Sequence, residues 1–184
     1  MLPTIDDMIG AILEHEVGKH DVVSNDPTDA GGPTKDGISL RYLRGVGIPN
    51  GDLDHDGDID INDVALVTPD IAAEFFKRDF FKAPHYDTLP GDIQPMMFDL
   101  AVNMGADEAT KCLQRALLAE ADGRIGDQTR TALNEAISRV GLKTVVAHVC
   151  DHFQSHYDAI VAAKPNQKKY IDGWTNRVNS WRIT

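Results

Sequence analysis

Residues 52 to 63 read D-L-D-H-D-G-D-I-D-I-N-D, six aspartates in twelve positions. An exposed acidic run is ordinarily a solvated loop or tail, and such a run needs no particular spacing. This one is spaced, with a carboxylate at almost every second residue and one glycine at its centre. It also dominates the charge: the whole chain of 184 residues carries 18 Lys and Arg against 29 Asp and Glu, a net charge of -11. Without the six loop aspartates, 18 basic residues face 23 acidic ones, a net charge of -5. Even so, nothing provides the clustered Lys and Arg that would neutralise a phosphate backbone, so nucleic acid is excluded as a ligand. The 42% apolar content is that of a globular protein, one domain or two small ones sharing a core. No apolar run approaches the roughly 18 to 20 residues of a membrane span, and M-L-P-T-I-D-D-M-I-G lacks the basic and apolar stretches of a signal peptide. The expectation is a soluble protein made in the cytoplasm. Cys112 and Cys150 are too few for a disulfide framework and fit no zinc spacing, so they read as buried thiols, with one optional disulfide left open.

Counted from Asp52 as position one, carboxylates fall at positions one, three, five, nine and twelve, as Asp52, Asp54, Asp56, Asp60 and Asp63. Gly57 stands at position six and Ile59 at eight. The pattern resembles the EF-hand calcium loop, and D-L-D-H-D-G-D-I-D-I-N-D-V-A-L is similar to a dockerin half-repeat. Its physical basis is that Ca²⁺ takes 6 to 8 oxygens at about 2.3 to 2.6 Å, and alternate residues of a tight loop converge on one point. The resemblance implies that Asp58 adds its backbone carbonyl and that Asp60 acts through a water. The loop ends in Asp63 where the common form has Glu, a shorter arm for a bidentate ligand. A single loop of this kind points to a structural Ca²⁺ clip rather than a sensor.

At the start of the chain, Thr4 to Asp7 form a capping-box-like sequence, and Ile5, Met8, Ile9 and Ile12 follow at helical spacing. A helix is predicted over residues 4 to about 17, ending at Gly18. Glu16 then lies at the end of the apolar stripe and at the negative end of the helix dipole. Both settings favour a protonated carboxyl, as a general acid requires. Periodicity alone is equally consistent with Glu16 leaning into water.

The segment L-E-H-E-V-G, followed by N-D-P-T-D-A-G-G-P-T-K-D-G-I-S at residues 25 to 39, resembles glycoside hydrolase family 108, the phage-type N-acetylmuramidases of lysozyme-like fold. The family pattern is a helix ending in E-G-G and then D-P-x-D-x-G-G-x-T-x-x-G-I-T. It is matched at Asp26, Pro27, Asp29, Gly31, Gly32, Thr34, Gly37 and Ile38. By this resemblance Glu16 protonates the glycosidic oxygen, while Asp29 and Thr34 flank the opposite face of the sugar and hold or activate water. Glycoside hydrolysis needs one protonated and one ionised carboxyl, and a helix end and a polar Gly-rich loop supply two such environments. The sequence departs from the family at Val17 and in the longer stretch K-H-D-V-V-S. A gapless alignment would put His20 at the acid position; the I-L-E-H context and Gly18 favour Glu16. Asp26, before Pro27, is a rival to Asp29 with a turn-forming reading of its own.

Further on, S-L-R-Y-L-R-G-V-G reads as a short helix, and T-P-D-I-A-A-E-F-F-K-R-D-F-F as a helix capped by Thr68 with Pro69 in its first turn. Phe75, Phe76, Phe80 and Phe81 read as core, and Tyr86 as a groove-lining candidate. From Asp92 onward, F-D-x-A-V-N-x-G at 98 to 105, L-Q-R-A at 113 to 116 and D-G-x-I-G-x-x-T at 122 to 129 resemble the peptidoglycan-binding region that follows the family's catalytic segment. Asn103 and Gln114 are the polar groups expected to reach substrate. His148, His152 and His156 share one helix face; without the acid of H-E-x-x-H they read as a polar flank rather than a zinc site. Trp174 and Trp181 read as core anchors, with Trp174 also suited to lining a sugar groove.

The resulting expectation is an α+β, mostly α, lysozyme-like protein with a small catalytic lobe and a larger helical lobe. Residues 1–91 hold the catalytic region with loop 52–63, and residues 92–184 the peptidoglycan-binding-like region, packed with it as one globular monomer. The implied reaction is hydrolysis of the β-1,4 bond between N-acetylmuramic acid and N-acetylglucosamine in peptidoglycan. The implied setting is a phage endolysin held in the host bacterial cytoplasm and released to the wall through a holin, without stable membrane insertion. A lytic transglycosylase and a non-catalytic, calcium-dependent wall-binding protein are the alternatives.

Overall fold

A computed structural model describes residues 4–14, 23–25 and 31–182. Among them the chain is mostly helical, with one two-stranded sheet, and no helix is long and apolar enough to cross a membrane. It divides into two compact units between Arg78 and Asp79. The sequence places this division later, at 91/92. The difference arises because Phe81 packs edge-on to Phe98, with ring centroids 5.9 Å apart, and the Tyr86 hydroxyl bonds Ala106 and Thr110, which commits residues 79–91 to the second unit.

The first unit opens with α1 (Ile5–Glu14), which buries Met8 and Ile9. Thr4 and Asp7 cap it reciprocally: each donates its backbone N–H to the other's side chain, at 2.8 and 3.1 Å. An antiparallel hairpin follows, β1 (Thr34–Lys35) and β2 (Ile38–Ser39). Ser39 ends the hairpin and caps α2 (Leu40–Val46) by accepting the Tyr42 N–H at 3.1 Å. Gly47 stops α2, and one turn of helix, α3 (Ile48–Gly51), leads into the acidic loop. The loop is left through α4 (Ile61–Leu66) and the chain enters α5 (Pro69–Phe75), with Thr68 as N-cap and Pro69 in the first turn as the sequence predicts. Residues Phe76–Lys82 continue with π-type hydrogen bonding. Ile38, Leu43, Val64, Val67, Ala72, Phe75 and Phe76 form the core of this unit.

The second unit is built around one long helix. A 3-10 turn (Tyr86–Thr88) precedes α6 (Gln94–Met104) and α7 (Ala106–Ala116). Then come α8 (Asp127–Val140), the 22-residue α9 (Leu142–Ala163), a 3-10 turn (Pro165–Tyr170) and α10 (Ile171–Ser180). Helices α7, α8 and α10 all pack on α9. Its buried stripe, Val145, Val146, Val149, Cys150, Phe153 and Tyr157, follows the 3.6-residue period of a core-facing helix. Single glycines with positive φ, Gly105 (91°) and Gly141 (83°), join α6 to α7 and α8 to α9 without further linker. Gly126 takes the cap position of α8, and Asp127 lies in its first turn, bonded to Arg130 at 2.6 Å. Cys112 and Cys150 are free and buried, and burial pushes each thiol up to about 11.

The entry to the acidic loop leaves no room for a side chain. A Cβ at Gly51 would meet the Leu43 carbonyl oxygen at 2.3 Å and the Ile59 side chain at 3.1 Å. Gly51→Ala is expected to lower the unfolding free energy by roughly 1–3 kcal/mol, the usual cost of overpacking. Denaturant melts at fixed metal concentration check this, and an unchanged midpoint would count against the tight α2–α3 contact.

Candidate catalytic hairpin and metal loop

The register Thr34↔Ser39 and Lys35↔Ile38 leaves Asp36 and Gly37 as a two-residue turn, with φ of 50° and 78°. Two positive φ values define a type I′ turn, for which Asp-Gly is a favoured pair. Thr34 is also held from its other side: its N–H and C=O exchange hydrogen bonds with Ser24, both at 2.8 Å. Its hydroxyl donates to the Gly32 carbonyl at 2.9 Å, so the hydroxyl oxygen keeps its lone pairs for an incoming donor. Backbone bonds from Leu40 to Pro33 and from Arg41 to Gly31 fasten the end of the Gly-rich segment to α2. Thr34 is thus fixed on a braced hairpin. Glu16 and Asp29, with their rivals His20 and Asp26, lie outside the described residues.

The acidic loop is organised by its own backbone. Asp63, 1% exposed, accepts N–H groups from Leu53 (2.6 Å) and Asp54 (3.4 Å) on one oxygen and from Asp60 (2.7 Å) on the other. Asp60 accepts in turn from Asn62, completing the capping box of α4. Asp52, Asp54 and Asp56 accept from Gly57, Asp56 and Asp58 respectively. Gly57, at position six, has φ of 99° and makes the turn at the centre of the loop. Two sets, Asp52, Asp54 and Asp63, and Asp58, Asp60 and Asp63, bring carboxylate oxygens within 4.8 Å of one another.

The electrostatics of the loop are divided. Desolvation raises the Asp54 carboxyl above its ordinary range, and repulsion from Asp56 does the same to Asp58. Burial also pushes Asp63 up, but donation from Asp60, Leu53 and Asp54 outweighs it and holds that carboxyl below its ordinary range. Asp52 is 6% exposed, and its Oδ1 is buried without a hydrogen-bond partner. A buried, unpartnered carboxylate oxygen beside two further carboxylates is costly by itself and suits a hard cation. The donor set fits Ca²⁺ in kind, being all oxygen.

The loop and hairpin are tied together. Lys35 donates from Nζ to the Ala65 carbonyl of α4 at 2.7 Å, one residue along from Thr34. Arg44 of α2 donates to the Ile59 carbonyl at 3.0 Å. Neither cation is among the residues that the motif singles out, because both act on backbone oxygens that the sequence does not display.

The other expected contact residues are placed differently. Tyr86 is fully buried, its hydroxyl bonded to Ala106 and Thr110, each at 3.0 Å. Gln114 is 1% exposed, and its amide is spent on Asp122 (2.7 Å), Arg124 (3.0 Å), Thr129 (3.1 Å) and the Gly123 N–H (2.9 Å). It braces the 122–124 turn, and neither side chain presents a polar group to a ligand. Asn103 is exposed; its Oδ1 accepts from the Tyr157 hydroxyl, which leaves the amide nitrogen outward. Trp174 stacks on Tyr157 at 4.8 Å, and Trp181 donates to Asp99 at 2.8 Å, with Arg177 on the other Asp99 oxygen at 3.0 Å.

Residues 9–105 match the family described as Glycosyl hydrolase 108, and residues 108–179 match the family described as Predicted Peptidoglycan domain. No curated protein matches the chain. Among solved structures, that of Brucella abortus SagA is similar, with a TM-score of 0.74 at 21% identity over 97% of this chain and 91% of SagA. That likeness is one of fold, mostly α and lysozyme-like. Since the first family match spans more than half of the sequence and a peptidoglycan domain follows it, the chain belongs to glycosyl hydrolase family 108 and is a peptidoglycan hydrolase.

Proposed function

We propose that the protein hydrolyses the β-1,4 bond between N-acetylmuramic acid and N-acetylglucosamine, in the setting of a phage endolysin. The observation that carries this reading is the run of matched positions from Asp26 to Ile38 inside the Glycosyl hydrolase 108 match. Glu16, the carboxyl that the family resemblance assigns as the acid, gives its proton to the departing glycosidic oxygen. Asp29, in a polar Gly-rich segment, stays ionised and faces the developing positive charge or the attacking water. Thr34 accepts a hydrogen bond from that water while its own proton is engaged by Gly32. Asn103 offers its outward amide to the glycan.

Loop 52–63 is read as a structural Ca²⁺ site held by Asp52, Asp54, Asp56, Asp60 and Asp63, with the Asp58 carbonyl. Supporting it are the unpartnered Asp52 Oδ1 and the convergence of carboxylates around it. The ion supplies positive charge where the loop's own carboxylates repel. The chain's part is mechanical: α4 is anchored by the loop, and Lys35 carries that anchorage to the hairpin bearing Thr34.

Two outcomes are expected. Glu16→Gln lowers clearing of purified peptidoglycan, followed by turbidity, by about 10²-fold or more; undiminished clearing would remove Glu16 from the mechanism. In scanning calorimetry, Ca²⁺ at about 100 times its Kd adds roughly 2.7 kcal/mol of stability and raises Tm by about 5–10 °C over the chelated protein. Asp52→Asn abolishes most of that rise. Equal midpoints in Ca²⁺ and in chelator, with no binding heat, would defeat the metal assignment.

A further inference from the structure

Within the second unit, a concave pocket of about 250 Å³ is lined by Arg115, Arg139, His148 and His152, with Leu118 and Val140 among its apolar walls. Three features distinguish it. First, it gathers two guanidinium groups and two imidazoles in a chain whose net charge is -11. Arg115 is held in place by Glu108 at 2.6 Å, and Glu108 is also met by His156 at 3.3 Å. Arg139 takes part in no ion pair among the described residues, so its donors remain available. Second, Leu118 is 92% exposed beside these charges, well beyond the other exposed large apolar side chains among the described residues, and Val140, on the same pocket, is 42% exposed. Third, Leu118 sits at φ of 57°, in the left-handed region, at the end of α7. A glycine or asparagine would adopt that conformation with less strain. The left-handed turn closes α7, with the Leu118 N–H on the Arg115 carbonyl at 3.0 Å and the Ala119 N–H on the Gln114 carbonyl at 2.9 Å, and it sets a leucine where glycine or asparagine is usual, exposed at the edge of the pocket.

The pocket is smaller than the roughly 300–1,000 Å³ of a drug-sized ligand site. It suits a short piece of an extended chain that carries a carboxylate and small apolar groups. All its lining residues fall inside the match to the peptidoglycan domain. We infer that this pocket binds the acidic stem peptide of peptidoglycan, a carboxylate meeting Arg139 and the histidines while an alanine methyl rests on Leu118 and Val140. The inference rests on peptidoglycan being the substrate, and it adds recognition of the peptide to recognition of the glycan. It also gives His148 and His152, a polar flank by sequence, a shared surface with the two arginines.

The test is NMR titration of the full-length protein with two probes: the N-acetylglucosamine–N-acetylmuramic acid disaccharide carrying an L-Ala–D-Glu–diamino acid–D-Ala stem, and the same disaccharide without peptide. The stem-bearing probe is expected to shift the Leu118 methyl and the His148 and His152 ring signals, while the peptide-free disaccharide leaves them in place. Arg139→Glu should weaken stem binding about tenfold. Leu118→Asn should weaken it too, while leaving Tm unchanged or higher because the left-handed strain is relieved. Equal shifts from both probes, or none from either, overturn the stem-peptide site. Failure of the hydrolase reading appears separately, as wild-type protein that leaves purified peptidoglycan uncut.

Discussion

Asp63 receives the N–H groups of Leu53, Asp54 and Asp60 while being almost wholly buried, and the acidic loop is arranged around that carboxylate. One side chain closes the twelve-residue loop onto its own start and caps the helix by which the chain leaves it. Shortening the usual Glu to Asp brings the carboxylate close enough to the backbone to do both. The arrangement gathers negative charge in the interior of the loop, with Asp52 Oδ1 left without a donor. The Ca²⁺ proposed for this loop would resolve that conflict where further hydrogen bonds cannot, since nearby N–H groups of the loop are already directed at Asp52, Asp54, Asp56, Asp60 and Asp63.

The same helix, α4, holds the hairpin through Lys35 and the Ala65 carbonyl. The hairpin is short, and a pair of two-residue strands is marginal without outside support. It is supported by the Ser24 bridge on one edge, by Phe76 beneath Gly37 at 3.0 Å from where a Cβ would stand, and by Lys35 at the turn. Gly37 therefore serves two ends, the positive φ of the turn and the close approach of an aromatic ring.

Much of this was legible in the sequence where the signal was local. The Thr4–Asp7 capping box, the Thr68–Pro69 helix start, the turn at Gly57 and the core reading of Phe75, Phe76 and Phe81 depend on neighbours within a few residues. Asp36-Gly37 also carries a hairpin signal, overshadowed there by the motif that contains it. What was not legible depends on where side chains end. Gln114 has the same letter whether it reaches a sugar or braces a turn, and four polar partners decide for the turn. Tyr86 likewise looks amphipathic in sequence and is sealed by Ala106 and Thr110. The boundary at 78/79 follows from the Phe81–Phe98 contact, which no local pattern announces. The pocket around Arg139 joins residues of three helices and a strained leucine, none of them unusual when read singly.

The proposed reaction adds water across one particular sugar linkage. Digestion of purified peptidoglycan in ¹⁸O-labelled water, followed by mass analysis of the released muropeptides, reads this directly. The prediction is a reducing-end N-acetylmuramic acid carrying one ¹⁸O. Anhydro-muramyl ends without label, or label on reducing-end N-acetylglucosamine, would contradict it.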